Sequence, residues 1–143
     1  MTTSATYKLT GQVALFATKA VMMAQRVLDF SVTTLTGTTI YQIFQCPEDY
    51  VVLAAGYEIL VAETGTCTLD LGKAGGTELL SGVDITAAVG TKASGAVQDG
   101  GELFADSDTI DVQINTSDAD VGKVRLWWLG VDVSELTTIN DLA

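Results

Sequence analysis

The sequence predicts an all-β fold: a single β-sandwich or jelly-roll domain of about seven or eight strands, preceded by an N-terminal arm. Three observations lead to this prediction. Apolar residues alternate with polar ones over many short segments, which is typical of half-buried strands. Turn residues separate these segments at regular intervals, as in sandwiches and jelly rolls. No alternation of strand and helix patterns runs along the 143 residues, so a parallel α/β fold is not expected.

The predicted strands share alternation or a β-branched and aromatic composition, and turn residues bound each of them. They are residues 28–33, 40–44, 50–61, 67–71, 102–105, 110–114 and 123–133. The segment 84–92 is predicted as a helical turn or a further short strand, and 94–101 as a loop. The clearest amphipathic strand is 110–114, where three apolar residues alternate with polar ones.

Two of these segments carry more specific expectations. Tyr50–Val61 is long and almost uncharged, so it is predicted to be one strand buried on both faces and bent at Gly56. The sequence Glu63-Thr64-Gly65 follows it and is expected to form a hairpin turn into residues 67–71.

Charge divides the chain into an arm and a body. The first 28 residues carry a net charge of +3 and no acidic residue, whereas the remaining 115 carry −14. We therefore assign residues 1–26 to an N-terminal arm, 27–134 to the β-sandwich body and 135–143 to a C-terminal tail. An apolar arm left in water would be an exposed liability, so we expect it to dock, on a neighbouring subunit or, as the alternative, on its own body. The arm residues predicted to do so are Leu15, Phe16, Val21, Met22 and Met23.

Composition excludes several functions. The chain has no histidine, which removes Ser-His-Asp and Cys-His nucleophile schemes and most zinc chemistry. We therefore expect no enzyme, no catalytic residues, no cofactor and no metal site. A net charge of −11 repels phosphate backbones, so no nucleic-acid binding is expected. No run approaches 18 uninterrupted apolar residues, so neither a transmembrane helix nor membrane binding is expected.

Two features leave alternatives open. Cys46 and Cys67 are expected to be small buried hydrophobic residues, with a disulfide between neighbouring strands as the alternative. The densest acidic group consists of Asp106, Asp108, Asp111, Asp118 and Asp120. Acidic loops are ordinary in an acidic protein, but carboxylates gathered in loops also suit calcium.

Trp127 and Trp128 are adjacent, so on a strand they must point to opposite faces. One is expected to anchor the core of the sandwich. The other points outward, towards a subunit interface, a ligand such as a sugar, or cover from the arm or a loop. Because aromatic rings are enriched at protein interfaces, this pair is included among the predicted partner-binding residues.

The block from Tyr50 to Val133 also resembles a known family. The segments that carry the resemblance are Thr68-Leu69-Asp70-Leu71-Gly72, Ser81-Gly82-Val83-Asp84, Gly100-Gly101, Asp108-Thr109-Ile110-Asp111-Val112 and Gly122-Lys123-Val124-Arg125-Leu126. In these segments the sequence resembles the small β-sandwich head-decoration, or cement, proteins of tailed bacteriophages. The chain departs from the family pattern in its longer apolar arm and in lacking an acidic, proline-containing loop after Gly72.

The resemblance implies a structural virion protein on the capsid surface, made in the host cytoplasm. It implies the major capsid protein as partner and a homotrimer that bridges capsid subunits and stabilises the shell against packaged DNA. The alternative function is a carbohydrate- or receptor-binding module of a phage tail. That module would use the outward tryptophan and the acidic loops.

Overall fold

The computed structural model of the protein describes residues 21–134. Its strands are β1 (Val21–Asp29), β2 (Ile40–Cys46), β3 (Tyr50–Val61), β4 (Thr68–Gly72), β5 (Leu80–Asp84), β6 (Lys92–Ala96), β7 (Glu102–Phe104), β8 (Asp108–Asn115) and β9 (Lys123–Asp132). A short 3-10 turn at Gln98–Gly100 precedes β7. The strand count within the described residues exceeds the expected seven or eight because β5 forms where no strand was predicted and β6 extends into the predicted loop 94–101.

Two antiparallel sheets form the body, which confirms the predicted all-β sandwich. The five-stranded sheet has the order β1-β9-β3-β6, and β7 pairs with the first part of β3. The four-stranded sheet has the order β2-β8-β4-β5. Most consecutive strands lie in different sheets, as in a jelly roll. β9 is an interior strand of the larger sheet, paired with β3 over its whole length and with β1 over residues 123–131.

The core lies between the two sheets and takes side chains from most of the strands, whereas β6 is exposed throughout. The largest fully buried side chains of the core include Trp128, Phe30 and Phe104. The Trp128 ring meets the Phe44 ring edge to face, with centroids 6.5 Å apart. Cys46 and Cys67 are both buried and both free, so the disulfide alternative is wrong and the cysteines pack as small hydrophobic residues.

The first strand lies upstream of its predicted position at 28–33. β1 ends at Asp29 because this side chain caps a turn: its Oδ1 accepts hydrogen bonds from both the N–H and the hydroxyl of Ser31. The N–H groups of Val32 and Thr33 then donate to the Asp29 carbonyl. The alternation after Asp29 therefore reflects a turn that buries Phe30 and exposes Val32.

Residues 40–44 form a strand as predicted, but their faces do not alternate cleanly. The pairing of β2 with β8 shifts register between Gln42 and Phe44, so Ile43 is an extra residue in a bulge. The Ile43 carbonyl accepts a hydrogen bond from Arg26 Nη1 at 2.6 Å. This contact joins the edge strands of the two sheets, since Arg26 lies on β1.

The prediction for β3 has the right bounds but the wrong burial. One face of Tyr50–Val61 packs into the core, whereas the other is only partly covered and Leu53 and Val61 are exposed. The nearly uncharged sequence reflects a strand whose outward face is apolar without being buried.

The expected hairpin at Glu63–Gly65 is also wrong, because β3 and β4 belong to different sheets. The Glu63 side chain, only 4% exposed, holds this crossing in place. Its carboxylate accepts hydrogen bonds from the N–H groups of Thr64, Val121 and Gly122 at 2.7–3.2 Å. It thereby ties the β3–β4 connection to the β8–β9 connection.

Candidate functional site

The outward side of the five-stranded sheet carries an unusual number of exposed apolar side chains. The register places residues of β1, β9, β3 and β7 side by side, with Val21 opposite Val131, Met23 opposite Leu129 and Val51 opposite Leu103. Val21 is 64% exposed and Met23 63%. We call this surface the apolar face; it consists of Val21, Met23, Val27, Val51, Leu103, Trp127, Leu129 and Val131.

Trp127 lies on the apolar face over a glycine of the neighbouring strand. Gly56 is paired with Trp127, and a Cβ added at Gly56 would lie 2.4 Å from the indole ring. Real Cβ atoms do not approach so closely, so the absence of a side chain lets the indole lie flat against the sheet. Gly56 therefore makes room for the indole. The irregularities in the pairing of β3 with β9 lie on either side of the predicted bend, between Val52 and Ala54 and between Ile59 and Val61.

Replacing Gly56 with alanine is expected to push the indole off the sheet and to lower the free energy of unfolding by about 1–2 kcal/mol. Urea unfolding followed by tryptophan fluorescence measures both effects. Gly95→Ala is the matched control, because a Cβ at Gly95 meets nothing within 4 Å. Equal stability of the two variants would contradict the seating role of Gly56.

The charged residues on this side of the sheet are largely neutralised within it. Asp29 forms an ion pair with Lys123 at 3.0 Å, and Glu58 forms one with Arg125 at 2.6 Å. The hydrogen bond from Ser31 and the ion pair with Lys123 hold the pKa of Asp29 below its ordinary value. Lys92, opposite Glu58, adds a third positive charge on the same side.

This side contrasts with the rest of the body. Residues 21–134 contain sixteen acidic and five basic residues. The outward positions of the five-stranded sheet hold three of the five basic residues but only two of the sixteen acidic ones. The molecule thus has one apolar, nearly neutral side, while its negative charge lies elsewhere.

The outer side of the four-stranded sheet is polar. Asp70 accepts hydrogen bonds from the Gly82 N–H at 2.7 Å and from Asn115 Nδ2 at 2.6 Å. Asp111 was expected on the solvent side, but it is buried because the loop after β4 folds over it and Ala74 donates its N–H to Oδ2. Within residues 21–134, no three His, Cys, Asp or Glu side chains are grouped so as to hold a metal.

A cleft of about 380 Å³ opens between β1 and β2. Apolar residues such as Leu28, Phe30 and Leu35 line much of it, and Arg26 and Asp29 are its charged members. Arg26 is engaged with the Ile43 carbonyl and Asp29 with Lys123, so these side chains hold the fold together and form no acid–base pair.

No helix within the described part of the chain is long and apolar enough to cross a membrane.

The predicted partner-binding residues divide into three groups. The structure brings Val21, Met23 and Trp127 together on the apolar face. Met22 points the other way and packs against the core, and Trp128 is completely buried within it, as expected for one of the two tryptophans. Leu15 and Phe16 lie outside the described residues, as do the rest of the arm before Val21 and the tail 135–143. Val21–Arg26, assigned to the arm, belong to β1 in the larger sheet.

Sequence reasoning missed most of the apolar face. Leu129 and Val131 share the phase of Trp127 along β9, so alternation could have placed them beside it. Val51 and Leu103 carry no comparable signal, because their proximity depends on the pairing of β7 with the start of β3.

Comparison with known proteins identifies the fold. No family model matches the chain, and no curated protein matches its sequence. A chain in the capsid of Ralstonia phage GP4 has a TM-score of 0.61 at 17% identity, with 81% of this chain and 86% of that chain covered. One in the capsid asymmetric unit of cyanophage Pam1 has a TM-score of 0.63 at 20% identity, with 79% and 85% covered. A third, from the acid-stable capsid of Helicobacter pylori bacteriophage KHP30, has a TM-score of 0.58 at 13% identity, with 80% and 90% covered. The chain therefore shares a fold with chains of these three phage capsids.

Proposed function

We propose that this chain is a structural protein of a phage virion that binds the assembled capsid as a decoration, or cement, protein. The observation that carries the proposal is the fold, which recurs over about four fifths of the chain in three phage capsids. The decoration-protein resemblance of residues 50–133 points in the same direction. The protein is made in the host cytoplasm and resides on the capsid surface.

The partner is the major capsid protein, and the working form is a trimer that bridges neighbouring capsid subunits. A protein that spans a joint adds contact free energy that is lost only when the joint opens. Three linked copies act together, so that each contact can be individually weak. The shell then withstands a higher internal pressure from packaged DNA. This role requires no catalytic residue and no cofactor.

The N-terminal arm enlarges the contact without enlarging the domain. Leu15 and Phe16 are its apolar anchors, and they dock on a trimer mate or on the shell. Since residues 21–26 belong to β1, the part of the arm to be tested separately from the body is residues 1–20.

Purified protein mixed with shells assembled without it is expected to bind at a fixed stoichiometry and to raise the temperature at which the shells disrupt. Cosedimentation and calorimetry of the shells measure the two effects. In the same assay, a chain that begins at Val21 is expected to stay folded and to bind more weakly, because it retains all of β1 but lacks the anchors.

Failure of the full-length chain to bind, combined with its retention on a glycan array, would contradict the proposal and favour a tail module that binds carbohydrate. If the shortened chain binds as tightly as the full-length one, the arm has no part in docking.

A further inference from the structure

We infer that the apolar face of the five-stranded sheet is the surface that seats on the capsid shell, against a weakly charged apolar patch of the shell protein. This inference rests on the proposed function and deepens it by assigning the docking surface and the chemistry of the patch that receives it. The acidic remainder of the body then faces water.

Charge is the first argument. A surface buried against a protein must give up its hydration, which is costly for charges that lack partners. On the apolar side of the sheet, Asp29 and Glu58 already have Lys123 and Arg125 as partners. The remainder of residues 21–134 holds fourteen acidic and two basic residues, so burying it would remove many charges from water. Only the apolar side can be covered by a weakly charged surface at low cost.

Exposure is the second argument. Val21 and Met23 on β1 and Leu103 on β7 are each more than half exposed. Val131 and Val51, on the two strands between β1 and β7, join these residues in one row across the sheet. Contiguous apolar surface of this kind marks interaction sites, whereas scattered exposed residues do not. The strands beneath these residues are fixed by pairing on β9 and β3, so docking requires little ordering of the backbone.

The area of the apolar face explains why several linked copies would be needed for firm binding. β1, β9 and β3 are each at least nine residues long and lie about 4.8 Å apart; with the three-residue β7 beside them, they span on the order of 500 Å². Stable pairwise interfaces bury about 800 Å² on each partner. One copy therefore binds weakly through this face alone, and three linked copies bind firmly.

The test places a carboxylate on the face and compares it with the same change elsewhere. Met23→Glu and Leu103→Glu each replace an exposed apolar residue on the face, in different strands, so both variants should fold. Val89→Glu is the matched control, because Val89 is 67% exposed in the loop before β6. Each variant is mixed with shells of the major capsid protein assembled without this chain, and bound protein is counted after sedimentation. Thermal unfolding confirms the fold, and analytical ultracentrifugation gives the oligomeric state.

We expect each face variant to lose at least about tenfold in affinity, because an unpaired carboxylate must be desolvated against an apolar patch. The control should bind within about twofold of the unsubstituted protein, as surface changes outside an interface usually do. Equal binding of face variants and control would overturn the inference while leaving the proposed function intact. Absence of binding by the unsubstituted protein would overturn both. Conversion of the face variants from oligomers to monomers would assign the face to contact between copies and overturn the shell assignment.

Discussion

Replacing Trp128 with alanine is expected to lower the free energy of unfolding by about 3–5 kcal/mol. Trp128 is fully buried between the two sheets, on β9, an interior strand of the larger sheet. Its ring contacts Phe44 of the opposite sheet edge to face. Truncation would leave a cavity that rigid strands on both sides cannot close. Urea unfolding at neutral pH, followed by far-ultraviolet circular dichroism, measures the loss.

Trp128→Phe tests whether packing of the aromatic ring accounts for the stability that Trp128 provides. Within the described residues, the buried Trp128 Nε1 has no hydrogen-bond partner, so phenylalanine removes an unsatisfied donor while keeping an aromatic ring near Phe44. We expect a loss of about 1–2 kcal/mol, well below that of alanine. Similar losses for the two variants would contradict a role based on packing.

Replacing Glu63 with glutamine is expected to lower the free energy of unfolding by about 2–3 kcal/mol at pH 7, since hydrogen bonds to a charged acceptor are strong. Burial alone would raise the pKa of Glu63. The N–H groups of Gly122, Thr64 and Val121 outweigh this effect and hold the pKa below its ordinary value of 4.5. Glutamine would present an amide N–H₂ to these donors and lose the charge that they share.

The same carboxyl predicts a dependence on pH. A group whose pKa is lower in the folded chain stabilises the fold fully above its unfolded pKa, and the contribution is lost as pH falls through the folded pKa. The stability of the unsubstituted protein should therefore decline below about pH 4.5. The decline should be shallower in Glu63→Gln, since this variant has no proton to gain at position 63. Parallel stability profiles from pH 7 to pH 3 would show that Glu63 does not contribute as described.

The sequence predicted those parts of the fold that depend on neighbouring residues, and it failed where contacts between distant residues decide the structure. Alternation located β3, β8 and β9 closely. One face of each strand packs on the core, so buried and outward residues follow one another with a period of two. Alternation misplaced β1, because the Asp29 side chain creates a turn that keeps the same alternation. It could not show that β3 and β4 lie in different sheets, since the decisive contacts join Glu63 to Val121 and Gly122 across the chain.

For the candidate site, too, alternation along a strand was predictable and the pairing of distant strands was not. Adjacent tryptophans had to face opposite ways, so one core and one outward tryptophan followed from the sequence, and the structure shows that Trp128 is the buried one. Which residues surround Trp127 did not follow, because Met23 and Leu129 come together through pairing of the first and last described strands. Along the chain, charge separates a basic arm from an acidic body. The sheet adds a second division, between the two sides of the body, that only the register reveals.

A cryo-electron microscopy map of shells assembled with this chain tests the central claim most directly. The proposed function predicts two-layered β-sandwich density on the outer surface, in groups of three where capsid subunits meet. The inferred docking surface predicts, in addition, that the five-stranded sheet lies against the shell. Shells that exclude the chain, or density for it only at the tail, would contradict the assignment as a capsid decoration protein.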